Sequence, residues 1–221
     1  MKRIKLQDRI LPNYTIGEEI FNAISHGAGI LLGIAVSILC ILKTAGNDVP
    51  FWGSSIYGLS MIVLYTFSTL YHSLRPGTSK KVFQIMDHCT IYVLIAGTYT
   101  PILLAGFVPR MPLIGWGLLA LQWGVAAFAI VLNAIDLHRY RYFSYIAYLI
   151  MGWSIAFVAP YALQLISLKA LWFLLLGGIS YTVGAVTFVI GIKRRWFHGV
   201  FHIFVIIGSL LQFIGIYLYI L

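Results

Sequence analysis

The sequence predicts an all-α integral membrane protein, a seven-transmembrane helix bundle whose N-terminus is cytoplasmic and whose C-terminus is external. Three observations lead to this prediction: the apolar composition, the number of long uncharged stretches, and the one-sided distribution of basic residues. Of the 221 residues, 61% are apolar and 10% are charged, whereas a soluble domain has about 45–50% apolar and about 25% charged residues. This composition excludes an ordinary soluble enzyme, a disordered protein and a small secreted domain held by disulfides.

Seven stretches without Asp, Glu, Lys or Arg are each long enough to cross a bilayer once, since a spanning helix needs about 20 mostly apolar residues. They run over 20–42, 49–74, 88–109, 111–135, 142–168, 170–192 and 196–221. The third span is expected to begin near Val82 and to include Asp87, because residues 82–86 continue the apolar pattern. We therefore predict a short cytoplasmic tail over 1–19 and a single transmembrane domain over 20–221.

The net charge of +9 is interpreted as a topology signal, which argues against nucleic acid as a partner. Twelve of the 15 Lys and Arg residues flank the predicted spans on the N-terminal side, and three lie on the opposite side. The twelve are Lys2, Arg3, Lys5, Arg9, Arg75, Lys80, Lys81, Arg139, Arg141, Lys193, Arg194 and Arg195. Since short cytoplasmic loops carry an excess of basic residues, this side is predicted to be cytoplasmic.

Ionisable side chains within the predicted spans gather near the cytoplasmic face. Such groups are costly in a membrane and usually functional. At 1.5 Å of rise per residue, His72, Asp87 and the pair His198 and His202 each lie within roughly 5–11 Å of a cytoplasmic loop. Glu19 begins the first span at the same face. Several helices are therefore expected to bring polar groups to one depth.

The histidines among these residues have a spacing that suits a divalent metal. His198 and His202 are four residues apart, so both rings project from one helical face. With His72 they would supply three nitrogen ligands, the pattern of a zinc site that keeps one position open for water. Asp87 would bind the metal or accept a hydrogen bond from that water. Taken singly, each residue is also explained as an interfacial side chain or a helix–helix hydrogen bond.

Further polar residues lie beside this set. Glu19, Asn22 and His26 share a face of the first helix. They are interpreted either as a first-turn carboxylate and a core histidine or as groups that support the metal ligands from outside. Ser68 precedes His72 by one helical turn, and both side chains therefore lie on the same face.

Three sequence motifs carry a family resemblance. In order they are Glu19-x-x-Asn22-x-x-Ser25-His26, then Ser68-x-x-x-His72 followed by Asp87, then His198-x-x-x-His202. On these motifs the chain resembles, over nearly its whole length, the bacterial hemolysin III-like branch of the progestin and adipoQ receptor (PAQR) family, which is related to adiponectin receptors and alkaline ceramidases. The resemblance implies that His72, His198 and His202 hold zinc. It also implies that Asp87 contacts the zinc through water and that Ser68 lies beside the site.

The resemblance further implies a function at the bacterial cytoplasmic (inner) membrane. The first hypothesis is a zinc-dependent hydrolase of lipid amide (ceramide-like) bonds that serves membrane lipid or fluidity homeostasis. In it Asp87 orients or deprotonates water, and Ser68 donates a hydrogen bond to the developing oxyanion. Membrane lipids are the expected partners. Hormone-binding relatives have a longer cytoplasmic N-terminal region, so no protein hormone is expected.

Two other hypotheses are kept beside the hydrolase. The protein could be a non-enzymatic membrane sensor or homeostasis factor, named for a hemolytic activity, in which zinc is structural. An ion or proton pathway is disfavoured, because the outer halves of the spans contain no matching relay of ionisable groups. The pattern leaves the oligomeric state open.

Overall fold

The computed structural model describes residues 6–221 and is almost entirely helical, with no strand in that range. Lys2, Arg3 and Lys5, which belong to the predicted cytoplasmic side, lie outside the described residues. The helices are α1 (Ile16–Thr44), α2 (Asp48–Ser73), α3 (Thr78–Pro101), α4 (Pro112–Asp136), α5 (Arg141–Gly152), α6 (Ala159–Leu165), α7 (Leu168–Gly191) and α8 (Phe197–Tyr219). A π-helical segment, Ile102–Phe107, continues α3. Each predicted span thus corresponds to a helix or to a pair of helices.

Five of these helices are long and apolar enough to cross a membrane, namely α1, α3 with its π-helical extension, α4, α7 and α8, and the bent pair α5 and α6 raises the number to six. The described chain is therefore an all-helical protein with five to six candidate membrane spans. Helix α2 has 26 residues but is not among the candidates. Its buried positions include Ser54, Ser60 and Ser68 beside several tyrosines, and these polar groups lower its hydropathy. The count of seven spans and the orientation of the termini stay predictions.

The fifth predicted span, 142–168, is two helices rather than one. Between α5 and α6 the chain forms a 3-10 segment, Ser154–Val158, and the two halves are bent by 41°. Pro160 lies in the first turn of α6, where a missing N–H costs nothing because that position has no helical acceptor. The stretch predicted to cross once is therefore a bent pair of helices, and Pro160 lies at the start of the second helix.

Side chains of neighbouring helices satisfy the backbone at this break. Gln122 donates to the main-chain oxygen of Met151 (3.0 Å), and the Tyr99 hydroxyl donates to that of Gly152 (2.8 Å). The same Tyr99 oxygen accepts from the N–H of Ile155 (3.1 Å). Irregular backbone at membrane depth is tolerated where it is paired inside the protein or lines a cavity, and this break does both.

The packing order places the ends of four helices together. Helix α1 packs along α2, α2 along α3, and α7 along α8, while α1 also contacts α8. The α1–α2 approach is close, because a Cβ added at Gly29 would overlap the ring of Tyr65. The first turns of α1, α3 and α8 and the last turn of α2 consequently meet at one end of the bundle. This end of the bundle carries the predicted site residues.

Candidate metal centre

Three buried histidines from two helices converge at this end. His72 lies in the last turn of α2, and His198 and His202 lie in the first two turns of α8. The Nε2 atoms of His72 and His198 are 3.3 Å apart, and those of His198 and His202 are 3.2 Å apart. One nitrogen of each ring lies within 4.8 Å of the others, and this cluster could hold a metal ion. Tetrahedral zinc with bonds of 2.0–2.1 Å would require a nitrogen–nitrogen spacing of about 3.4 Å, so the donor set fits.

The Nδ1 atoms of two of these rings are engaged on the side away from the cluster. His72 Nδ1 donates to Oε2 of Glu19 at 2.6 Å. His202 Nδ1 donates to the main-chain oxygen of Asn22 at 3.2 Å and lies 3.2 Å from the hydroxyl of Ser25. Such outer contacts fix the ring tautomer and leave Nε2 free for a metal. Glu19 and Asn22, both predicted as supporting groups, therefore contact the histidines directly.

The start of α1 also fixes the start of α8. Glu18 forms a capping box with Thr15, in which each residue accepts from the backbone N–H of the other. The second oxygen of the Glu18 carboxylate accepts from the backbone N–H of Trp196 at 2.7 Å. Trp196 has a left-handed φ of 67° and immediately precedes α8. This strained junction, held by Glu18, determines where His198 enters the cluster.

The segment before α1 covers the histidines on the side of the chain's N-terminus. The Tyr14 ring centroid lies 5.0 Å from that of His198 and 5.8 Å from that of His72. Burial raises the pKa of the Tyr14 phenol above its ordinary value, and the nearby carboxylates of Asp87 and Glu19 raise it further. The segment is held in place by Lys81, which donates to the main-chain oxygen of Gln7.

The remaining predicted site residues lie around the cluster. Asp87 lines a cavity together with His198 and His26. His26 stacks on His202 with 3.6 Å between ring centroids and 12° between planes. Ser68 is fully buried on α2, and its hydroxyl has no hydrogen-bond partner among residues 6–221. The fold thus brings the predicted set to one end of the bundle; the water-mediated contact of Asp87 stays a prediction.

The cavity that Asp87 lines has a volume of about 710 Å³ and runs between α3, α5, α7 and α8. Its wall on α7 extends from Leu168 to Ile190, which is about 33 Å at 1.5 Å per residue. Helices α5 and α7, which form two of its walls, make few contacts with each other. The cavity therefore opens sideways between these two helices, and its inner end reaches the histidines.

Three residues that contribute to this site were missed by sequence reasoning. Glu18 and Tyr14 lie within the predicted tail, 1–19. The Thr15-x-x-Glu18 capping box is nevertheless a local signal for a helix start at Ile16. Lys80 was counted only as a basic loop residue, yet it is buried and its Nζ lies 2.8 Å from Oε1 of Glu19. Nothing in the local sequence distinguishes it from Lys81.

Comparison with known proteins identifies the family to which this arrangement belongs. A family model described as "Haemolysin-III related" matches residues 14–213. The chain belongs to the haemolysin III family. This haemolysin III family member is 40% identical to Hemolysin-3 of Bacillus cereus over 211 residues, which are 93% of each chain. It is 38% identical to the Hemolysin-3 homolog of Bacillus subtilis (strain 168) over 208 residues, 93% of this chain and 96% of the relative.

A more distant similarity extends to animals. The haemolysin III family member is 26% identical to the human monocyte to macrophage differentiation factor over 170 residues, 74% of this chain and 68% of the relative. The predicted resemblance to hemolysin III-like proteins is confirmed, and the human relative is consistent with the predicted PAQR relationship. Together with the apolar helices, the family membership indicates a multi-pass membrane protein.

Proposed function

We propose that this protein is a zinc-dependent hydrolase of lipid amide bonds in the bacterial cytoplasmic membrane, serving membrane lipid or fluidity homeostasis. The observation that carries the proposal is the meeting of a sideways-open apolar cavity with a buried three-histidine cluster. In this proposal the chain crosses the membrane seven times with its N-terminus in the cytoplasm, as the twelve basic residues on that side favour. The histidines then lie near the cytoplasmic surface.

His72, His198 and His202 would hold the ion through Nε2. When bound, zinc supplies Lewis-acid polarisation of a carbonyl and lowers the pKa of water. Glu19 and the main-chain oxygen of Asn22 hold two of the rings in the tautomer that ligation needs. The burial of all three rings excludes bulk water, which strengthens every electrostatic interaction inside the site.

The protein's own groups provide the proton and charge handling of the reaction. As the water oxygen adds to the amide carbon, Asp87 accepts the water proton. As the C–N bond breaks, Asp87 delivers that proton to the leaving nitrogen, so the products are a free acid and an amine. The buried Ser68 hydroxyl, which lacks a hydrogen-bond partner in the described chain, donates to the carbonyl oxygen as negative charge develops there.

The cavity provides an apolar site for the rest of the lipid. Because lipid tails are already in an apolar medium, an alkyl chain would be held there by packing contacts with the walls rather than by removal from water. A length of about 33 Å along α7 matches a hydrocarbon layer of about 30 Å. The opening between α5 and α7 would let a lipid enter from the bilayer without crossing the aqueous phase.

A second candidate is a non-enzymatic membrane factor with structural zinc. The observation that favours it is the origin of the ligands, one from α2 and two from α8. A metal there would clamp the two helices together without any chemical turnover. Loss of metal would then change the stability of the protein, while replacement of Asp87 would leave its cellular function intact.

The proposal is tested with protein purified without chelator. We expect about one zinc per chain, as a three-histidine site requires, and release of a fatty acid from lipid amides in vesicles. The double variant His198→Ala/His202→Ala should lose both the metal and the activity. His138→Ala, which alters an exposed histidine between α4 and α5, is the matched control and should keep both.

Two outcomes would contradict the proposal. Wild-type protein that contains no zinc excludes the metal site. Zinc-loaded protein that releases no fatty acid, with no change in untargeted lipid analysis between cells carrying the wild type and the double variant, excludes the hydrolase and favours the structural role.

A further inference from the structure

Lys80 is a buried lysine whose partners lie beside the histidine cluster. Its exposed fraction is only 3%, and a charge removed from water is tolerated when it is paired and hydrogen-bonded. Its Nζ lies 2.8 Å from Oε1 of Glu19 and donates to the main-chain oxygen of Leu74 at 3.0 Å. Nζ also lies 5.0 Å from the centre of the Tyr71 ring. Glu19 and Tyr71 contact His72, and Leu74 follows it by two residues.

The two oxygens of the Glu19 carboxylate have different partners, a lysine ammonium and a histidine of the metal cluster. Oε1 faces Lys80, and Oε2 accepts from His72 Nδ1 at 2.6 Å. On the far side of the same imidazole, Nε2 lies 3.3 Å from Nε2 of His198. An ammonium, a carboxylate and an imidazole thus form a continuous series that ends in the cluster.

His72 and His202 are supported in different ways. The partners of His202 Nδ1 are neutral, a main-chain oxygen and a hydroxyl, both at 3.2 Å. His72 Nδ1, in contrast, donates to a carboxylate at 2.6 Å, and its neutral neighbour, the Asn22 amide nitrogen, is farther away at 3.5 Å. Hydrogen bonds to charged acceptors are shorter and stronger than neutral ones, and an outer carboxylate makes a histidine a stronger metal donor.

We propose that Lys80 is a positioning residue of the metal centre: it holds the Glu19 carboxylate against His72 and thereby raises the zinc affinity of the site. The inference rests on the metal site of the proposed function but not on the hydrolysis. Its physical basis is geometric. A carboxylate held by Lys80 through one oxygen keeps the other aimed at Nδ1, whereas an unheld one rotates among alternative positions, which weakens the alignment.

The test measures the zinc affinity of the full-length protein in detergent micelles by competition with a chromophoric chelator. Lys80→Met removes the charge, and Lys80→Gln removes the charge but keeps a donor for Leu74. Both are expected to lower the affinity about tenfold, at the lower end of the loss seen when outer partners of metal ligands are changed. Lys169→Met is the matched control, because Lys169 is an exposed lysine in the first turn of α7, at the end of the bundle opposite to the histidines. Its affinity should equal that of the wild type.

A double-mutant cycle separates action through Glu19 from a general structural role. In a Glu19→Gln background, Lys80→Gln should lower the affinity by much less than tenfold, because the carboxylate it positions is absent. Equal affinity of wild type and Lys80→Gln, or full additivity of the two changes, would overturn the inference. Zinc-bound wild type without turnover contradicts the hydrolase and leaves this inference standing, whereas wild type that binds no zinc overturns both.

Discussion

The polar side chains at the histidine end of the cavity and those along the rest of its wall differ in their hydrogen-bond partners. At the histidine end, ionisable side chains from α1, α2, α3 and α8 face one another. Along the rest of the cavity, polar side chains in the wall bond to nearby protein groups: Trp153 donates to Thr182 (3.0 Å) and Gln212 to the main-chain oxygen of Leu174 (3.0 Å). The first region offers free donor atoms to a ligand. The second offers only apolar surface.

Under the proposed function, this difference predicts a division between chemistry and chain binding. Substitutions at the histidine end should change metal content or the rate constant, and substitutions along the wall should change the preference for chain length. The three predictions below test whether the two regions are separable.

The largest effect is expected for Asp87→Asn. Loss of a positioned acid–base group lowers the rate by about 10²–10⁴-fold, while the three histidines should still bind about one zinc per chain. Fatty-acid release and metal content are measured on the same preparation. Asp48→Asn, an exposed acid at the start of α2, serves as control. Normal turnover of the Asp87→Asn variant would show that Asp87 takes no part in the chemistry. The proposed division between a chemical region and a chain-binding region would then lose its support.

An intermediate effect is expected for Gly178→Leu in the wall. Gly178 lines the cavity, and the atoms nearest to a Cβ there belong to the ring of Trp153, at 3.6 Å, so a leucine side chain would take up cavity space. It should overlap a long chain that fills this part of the cavity, a loss of about 2 kcal/mol or about 30-fold in kcat/KM. Short-chain substrates and zinc content should be unaffected.

The control for the wall is Gly124→Leu, because nothing lies within 4 Å of a Cβ there and Gly124 does not line the cavity. If Gly178→Leu reduced the turnover of short and long chains equally, the wall would not act as a chain-binding region.

The smallest effect is expected for Tyr14→Ala at the covering segment. Removal of a ring that lies over His72 and His198 should speed zinc release to a water-soluble chelator about tenfold, corresponding to a barrier lower by about 1.4 kcal/mol. Tyr14→Phe keeps the ring and should release zinc at the wild-type rate. Equal acceleration in both variants would assign the effect to the hydroxyl and would refute a covering role for the ring.

Much of the fold follows from local sequence, because a helix is specified by neighbours three and four residues apart. Apolar runs located every helical region, and the i, i+4 spacing placed His198 and His202 on one face. The break at 152–160 was not predicted, although Pro160 is a local signal for a helix start; the residues that satisfy its backbone, Tyr99 and Gln122, are distant in the sequence. Pairing across such separations leaves no local pattern.

The sequence by itself determined that this is a helical membrane protein and that His198 and His202 lie on one face of a helix. Only the tertiary structure decided which Nε2 atoms meet, that Lys80 turns inward while Lys81 does not, and that a cavity opens between α5 and α7. The physical reason is that periodicity fixes the face on which a side chain lies. The contacts of that face depend on how neighbouring helices pack.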